Sequence, residues 1–262
     1  MVKTAKPKIP VKPAIGVVLV ILVLAASYIY LTTEKGAPSY SVGDRWTWQV
    51  TRRQLDPLTD NVISTLTYDQ TVEYLGENTS GNYRAGIFRL TISSQPSQYG
   101  KLLRVVEGGE VRELGSESFE NDSKVSEYIY SEPILLRKFP LAVGLKFSDS
   151  GNVSGNDNTA GAQSVSAFEI RTTEVTARET LMLPVAIDTY KIRTWGTSTG
   201  TMTVGGSTNR IFLSWEENLW YSESVKEAVK STTETTTVVL TQLATSVTKT
   251  QEERVLASYT LI

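Results

Sequence analysis

Apolar and polar residues alternate along most of this chain, and a period of two is what a β-strand with one buried face requires. In Arg45-Trp46-Thr47-Trp48-Gln49-Val50, the side chains of Trp46, Trp48 and Val50 fall on one side. The same rhythm recurs at 63–75, at 83–93 (Phe88, Leu90 and Ile92 share a side), at 101–106, 110–114, 165–177, 185–195, 201–204 and 208–215. Gly108-Gly109 and Gly205-Gly206 each separate two such runs. A two-glycine connection permits positive φ and predicts a tight β-hairpin, so the sheet is expected to be largely antiparallel. The stretch 231–250 holds nine Thr in twenty residues but no Pro, and Val238, Val239, Leu240, Leu243 and Val247 are spaced through it. That pattern predicts closing strands, with ERVLASYTL returning to the sheet, where a glycosylated stalk would be rich in Pro.

Helix is expected only at 123–138, where Pro133 interrupts it, and at 216–229. The Gly-, Ser- and Asn-rich 148–164 reads as an exposed loop. Its Asp149, Asn152, Asn156 and Asp157 lack the alternating spacing and distal Glu of a calcium loop, and no metal site is expected.

The N-terminus is a unit of its own. Residues 1–13 form a basic tail with Lys3, Lys6, Lys8 and Lys12, three prolines and no acid. Residues 14–31 are 18 uncharged, mostly apolar residues. As a helix this run is roughly 27 Å long, enough to cross a bilayer of about 30 Å. Four lysines before the run against one, Lys35, shortly after it put the N-terminus in the cytoplasm and the main domain outside the cell membrane, with Tyr28 and Tyr30 at the far interface. The run exceeds the usual h-region of a cleaved signal peptide, which favours an uncleaved signal-anchor. The expected organisation is a cytoplasmic tail (1–13), a transmembrane signal-anchor (14–31), a linker (32–40) and an extracytoplasmic β domain (41–262).

Residue content removes most catalytic chemistry. The chain has no Cys and no His. Disulfides, thiolate metal sites, thiol nucleophiles, Ser-His-Asp triads and HExxH sites are therefore excluded. Without the four N-terminal lysines, 22 basic groups face 28 acidic ones, a net charge of −6, which argues against nucleic acid as a partner. Gly196-Thr197-Ser198-Thr199-Gly200 matches the G-x-S-x-G pattern but leads into a hairpin and has no His for a base. Glu216-Glu217 would point to opposite faces of a strand and reads as a solvated turn. Three N-x-[ST] sequons, at Asn78, Asn121 and Asn152, lie in turn-like contexts and are candidate glycosylation sites. Trp46, Trp48, Trp195, Trp215, Trp220 and Tyr221 sit at strand positions. A sheet curled around them encloses either a packed core or an apolar pocket for a lipid or other amphiphile.

Four segments carry a family resemblance. SYSVGDRWTWQV (39–50) is similar to the opening Val-Gly-Asp-x-Trp-x-Tyr strand of envelope proteins of the domain of unknown function 3108-like or TapB-like group. FPLAVGLKF (139–147), LPVAIDTYKI (183–192) and LWYSESVKEAVKS (219–231) resemble further segments of that group, in the same order. Phe147 replaces the usual Trp, Val185-Ala186 replaces Ala-Gly, and the last segment lacks the usual Pro and both Gly. The resemblance implies a strongly curved antiparallel sheet, a half-barrel like that of the LolA/LolB carriers, with no catalytic residues and no cofactor. The expectation is thus a mainly β, single-pass membrane protein with few short helices, acting as a non-catalytic interaction subunit of a surface or membrane assembly. The alternative is a tethered binder of a lipid or other apolar ligand; a carboxylate-pair enzyme, which requires two facing acidic side chains in a cleft, is a third.

Overall fold

A computed structural model of the protein describes residues 36–158, 163–241 and 244–262. Twelve strands run in sequence order: β1 (Arg45–Leu55), β2 (Val62–Ser80), β3 (Tyr83–Ile92), β4 (Gln98–Glu107), β5 (Glu110–Glu120), β6 (Ser123–Lys138), β7 (Lys146–Asp157), β8 (Gln163–Met182), β9 (Ala186–Val204), β10 (Ser207–Ser222), β11 (Glu227–Leu240) and β12 (Thr245–Thr260). Each is hydrogen-bonded to the next in antiparallel fashion, and β12 pairs with β1 from Arg45↔Thr260 to Leu55↔Lys249, so the sheet is a closed barrel. The expected half-barrel is thereby corrected. An open sheet would leave the N–H and C=O rows of β1 and β12 unpaired, and closure satisfies both. The transmembrane helix expected at 14–31 lies outside the described residues, as does nearly all of the separate compact unit Met1–Gly36. Among the described residues no helix is long and apolar enough to cross a membrane.

The expected short helices are also corrected: 123–138 is β6, and 216–229 runs from β10 through a turn into β11. Leu219 and Tyr221, then Glu227, Val229 and Ser231, are buried at alternate positions, so the period of two prevails. Between Ile129 and Ile134 strand β6 leaves the β5 ladder, which is where Pro133, lacking an N–H, is tolerated. The expected loop 148–164 is mostly strand, with β7 paired to β8 from Lys146↔Glu174 to Asp157↔Gln163. Its small residues are covered by β6: a Cβ on Gly155 would meet the Tyr128 ring at 2.3 Å, and one on Gly151 would meet Tyr130 at 3.4 Å. Neighbouring aromatics thus override weak strand propensity. Both two-glycine turns form as expected, with φ of 59° and 78° at Gly108-Gly109 and 55° and 83° at Gly205-Gly206.

The end of the barrel at which β1 begins, here the lower end, is filled by two apolar clusters. Trp46, Trp48, Val50, Val72, Tyr74 and Phe88 form one cluster with Val225 from the β10–β11 turn and with Val229 and Leu256 from the closing strands. A second cluster joins Val111, Phe139, Leu141, Val175, Ile192 and Tyr221. Tyr40, ahead of β1, closes this end from below, edge-on to Trp46 at 5.9 Å and to Phe88 at 4.9 Å. Both indoles are anchored: Trp46 Nε1 donates to the Val225 carbonyl at 2.8 Å and Trp48 Nε1 to that of Ala228 at 2.9 Å. Trp46→Phe keeps most of the buried area but strands the Val225 carbonyl. Urea denaturation should show it about 1–2 kcal/mol less stable, with an unchanged m-value.

Candidate functional site

Above the packed lower end, the inward positions of the strands turn from apolar to charged. Arg104 follows Leu102 on the inner face of β4, and Glu217 lies between Trp215 and Leu219 on that of β10. Glu113 on β5, Arg137 on β6, Arg171 on β8, Glu227 on β11 and Arg254 on β12 complete the layer, which lines a cavity of about 370 Å³.

Glu227 organises this layer. Its Oε2 accepts from Arg104 Nη1 at 2.8 Å, its Oε1 from Arg137 Nη2 at 2.9 Å and from its neighbour's N–H, Ala228, at 3.1 Å. Burial alone would raise its pKa, but the guanidiniums of Arg137 and Arg104 and the Ala228 N–H more than reverse this, and the carboxyl is pulled down to about 2. The Arg137 guanidinium also lies over the Tyr221 ring, 4.9 Å from its centroid. Its Nη1 is buried and has no hydrogen-bond partner. Gln70 Oε1 is the other such side-chain atom among the described residues.

A second group sits beside it. Arg171 Nε donates to Glu169 at 2.8 Å, Tyr130 OH donates to the other Glu169 oxygen at 2.8 Å, and Arg171 reaches Glu113 at 3.6 Å. Burial pushes the Glu113 carboxyl above its usual range, with Arg171 and Arg104 opposing. Arg254 is paired with Glu252 at 2.7 Å. Further up, the wall becomes apolar: Val153, Val165, Ala167, Met202, Ile211 and Leu213 line a chamber of about 360 Å³. Glu113 borders both spaces, so the chamber and the charged cavity adjoin.

The six aromatics separate by strand parity. Trp48 and Trp215 line the cavity, and Trp46 and Tyr221 belong to the packed lower end. Trp195 and Trp220 point outward. Lys146 and Arg193 cover the Trp195 ring at 5.2 and 5.1 Å, while Lys191 lies 5.1 Å over Trp220, whose indole donates to Glu179. Adjacent strand residues face opposite sides, so Trp220 and Tyr221 could not have shared a site. Glu216 and Glu217 divide the same way, in mid-strand and not in a turn: Glu216 pairs with Arg193 outside and Glu217 lines the cavity. In the G-x-S-x-G stretch, glycine is needed for packing, since a Cβ on Gly196 would come within 2.4 Å of the Trp215 ring. All three sequon asparagines are exposed, Asn121 in the β5–β6 turn, Asn78 and Asn152 within strands and not in turns. Asp149 accepts the Leu135 N–H at 2.7 Å, and among the described residues no cluster of acidic side chains is placed to hold a metal.

The charged layer was not singled out from the sequence. Its signal was present: Glu169 and Arg171 occupy the same parity as Ala167, Thr173 and Val175, a buried phase interrupted by charge.

No family model matches the chain, so the likeness to the envelope group stands on its four segments alone. Among curated proteins nothing matches it either. A crystal structure of a Bacteroides fragilis protein, provisionally named as exported and as having a YmcC-like fold, aligns with 86% of this chain and 98% of its own at 11% identity, with a TM-score of 0.43. The assignment of the fold rests on the strand pairing described above.

Proposed function

We propose that this protein is a non-catalytic binder of a small apolar or amphiphilic ligand, held in the barrel lumen and displayed outside the membrane by the apolar segment 14–31. The observation that carries this reading is the apolar chamber stacked on the charged cavity, each several hundred Å³ in a lumen whose lower end is closed by an apolar cluster. Space of that size lined by aliphatic side chains with a few convergent polar groups is what small-molecule sites have. The outer face supports a barrel standing in water. Arg45, Glu73, Arg89 and Lys101 form a charged row across β1 to β4, which a lipid-facing wall would not carry. A hydrolytic reading is weaker. Glu113 and Glu169 both line the chamber, but Glu169 is held on both oxygens, by Arg171 and by Tyr130, and has no free base to offer.

Native mass spectrometry of the full chain, extracted gently from its own membrane and compared with a denatured control, tests this. A stoichiometric small mass that leaves on denaturation is the expected result. Co-purifying protein subunits with an empty lumen would instead favour an interaction subunit of a membrane assembly.

A further inference from the structure

Resting on the lumen-binding reading, we infer that the ligand is a single-chain amphiphile with a monoanionic carboxylate head, seated on Arg137 with its tail in the apolar chamber. Two arginines, Arg104 and Arg137, share one carboxylate, Glu227, so this corner of the cavity wall sets two guanidiniums against a single anion. The other cations of the layer have their own partners, Arg171 with Glu169 and Glu113, and Arg254 with Glu252. Arg137 is almost fully buried and lines the cavity, and its Nη1 is itself buried without a hydrogen-bond partner. A buried guanidinium N–H left unmade is costly, and an anionic oxygen is the acceptor that satisfies it best. Glu113 and Glu217 also border the cavity, so a dianion would meet repulsion that a monoanion largely escapes. The chamber adjoins the cavity at Glu113, and its run of Val153, Val165, Ala167, Met202, Ile211 and Leu213 offers an alkyl chain an aliphatic wall. Head and tail positions are thus set by different strands: β4, β6 and β11 hold the charge, while β7 to β10 supply most of the aliphatic wall.

The test uses the full chain in phosphatidylcholine nanodiscs, with empty nanodiscs as the blank. Dodecanoate, dodecanol and dodecylamine are titrated calorimetrically into wild type and into Arg137→Leu, a variant that leaves Arg104 and Glu227 as a balanced pair. Dodecanoate is expected to bind at least tenfold more tightly than dodecanol, with dodecylamine weakest, and Arg137→Leu is expected to erase the acid's advantage while leaving dodecanol within about twofold. Lengthening the acid should strengthen binding by up to about fourfold per methylene that enters the chamber. Equal binding of acid and alcohol to wild type, a comparison that needs no variant, overturns the anionic head but leaves the lumen reading intact. Undiminished acid selectivity in Arg137→Leu overturns the assignment to Arg137. Binding of none of the three overturns the lumen reading and this inference with it.

Discussion

Glu227→Gln is expected to destabilise the barrel by about 3–5 kcal/mol, because it leaves two guanidiniums facing each other in a dry wall with no anion between them. Arg137 and Glu227 are both nearly fully buried, and Arg104 is only slightly more exposed. The pH dependence has the same origin. The Glu227 carboxyl titrates at about 2 in the folded protein against an ordinary value of 4.5, so its stabilisation is fully present above pH 4.5 and is lost as pH falls toward 2. Urea midpoints measured from pH 7 down to pH 2 should fall steeply over that window for wild type and more shallowly for Glu227→Gln. Replacing the whole triad, Arg104→Met, Arg137→Leu and Glu227→Leu together, should return most of the lost stability, since apolar packing commonly matches or exceeds a buried ion triad. Recovery of stability with loss of dodecanoate binding would show that the triad is retained for its ligand. A triple variant as unstable as Glu227→Gln would mean instead that the charges are structural.

How much of this was legible beforehand divides along local and non-local lines. The strands, their parity at Trp46, Trp48 and Val50 and the two glycine turns are local matters of period and φ, and the residues state them directly. Closure is not local. It depends on β12 meeting β1 across some two hundred residues, and an alternating strand carries no mark of whether its second edge is free or paired. The same holds for β7, whose Gly and Ser residues become strand only because Tyr128 and Tyr130 lie over them. The charged layer was hidden for a different reason. Charge is the usual sign of a solvated face, and Glu217 or Arg171 reads as inward only once the parity of Leu219 or Val175 is trusted over the residue's own polarity. The four segments that resemble the envelope group turn out to share a place. Ile187 and Val225, from the third and fourth, pack at the lower end with Trp46 and Trp48 of the first, while Phe139 and Leu141 of the second and Tyr221 of the fourth form the other cluster there. These residues mainly stopper the barrel, while Trp48 of the first segment and Leu219 and Glu227 of the last also line the cavity.

That stopper has a polar clasp, and its removal should open the barrel from the closing seam. Asp44, fully buried just ahead of β1, accepts the N–H of Ser41 at 2.9 Å, the N–H of Ile262 beyond β12 at 2.9 Å and Lys226 Nζ in the β10–β11 turn at 2.9 Å. It thus ties together the start of β1, the end of β12 and the turn whose Val225 carbonyl receives Trp46. Burial opposes its ionisation, but the two N–H donors and Lys226 outweigh that and hold the carboxyl below its usual range. Because the folded value is the lower one, this contribution too is present at neutral pH and is lost on acidification. Asp44→Ala should lower stability by about 2–3 kcal/mol, as three hydrogen bonds to a buried charged acceptor are lost and two backbone donors lose their partner. Lys226 is partly exposed, so Lys226→Met alone should cost about 1 kcal/mol or less, and the double variant should fall short of the sum of the two. Hydrogen exchange distinguishes a seam from global loosening. In Asp44→Ala the amides of Trp46, Thr47 and Tyr259 should lose protection well before those of β8 and β9 at Thr173 and Thr194, which lie across the barrel from the seam. Uniform loss of protection around all twelve strands would show that closure is held by the whole ladder and that the clasp merely decorates it.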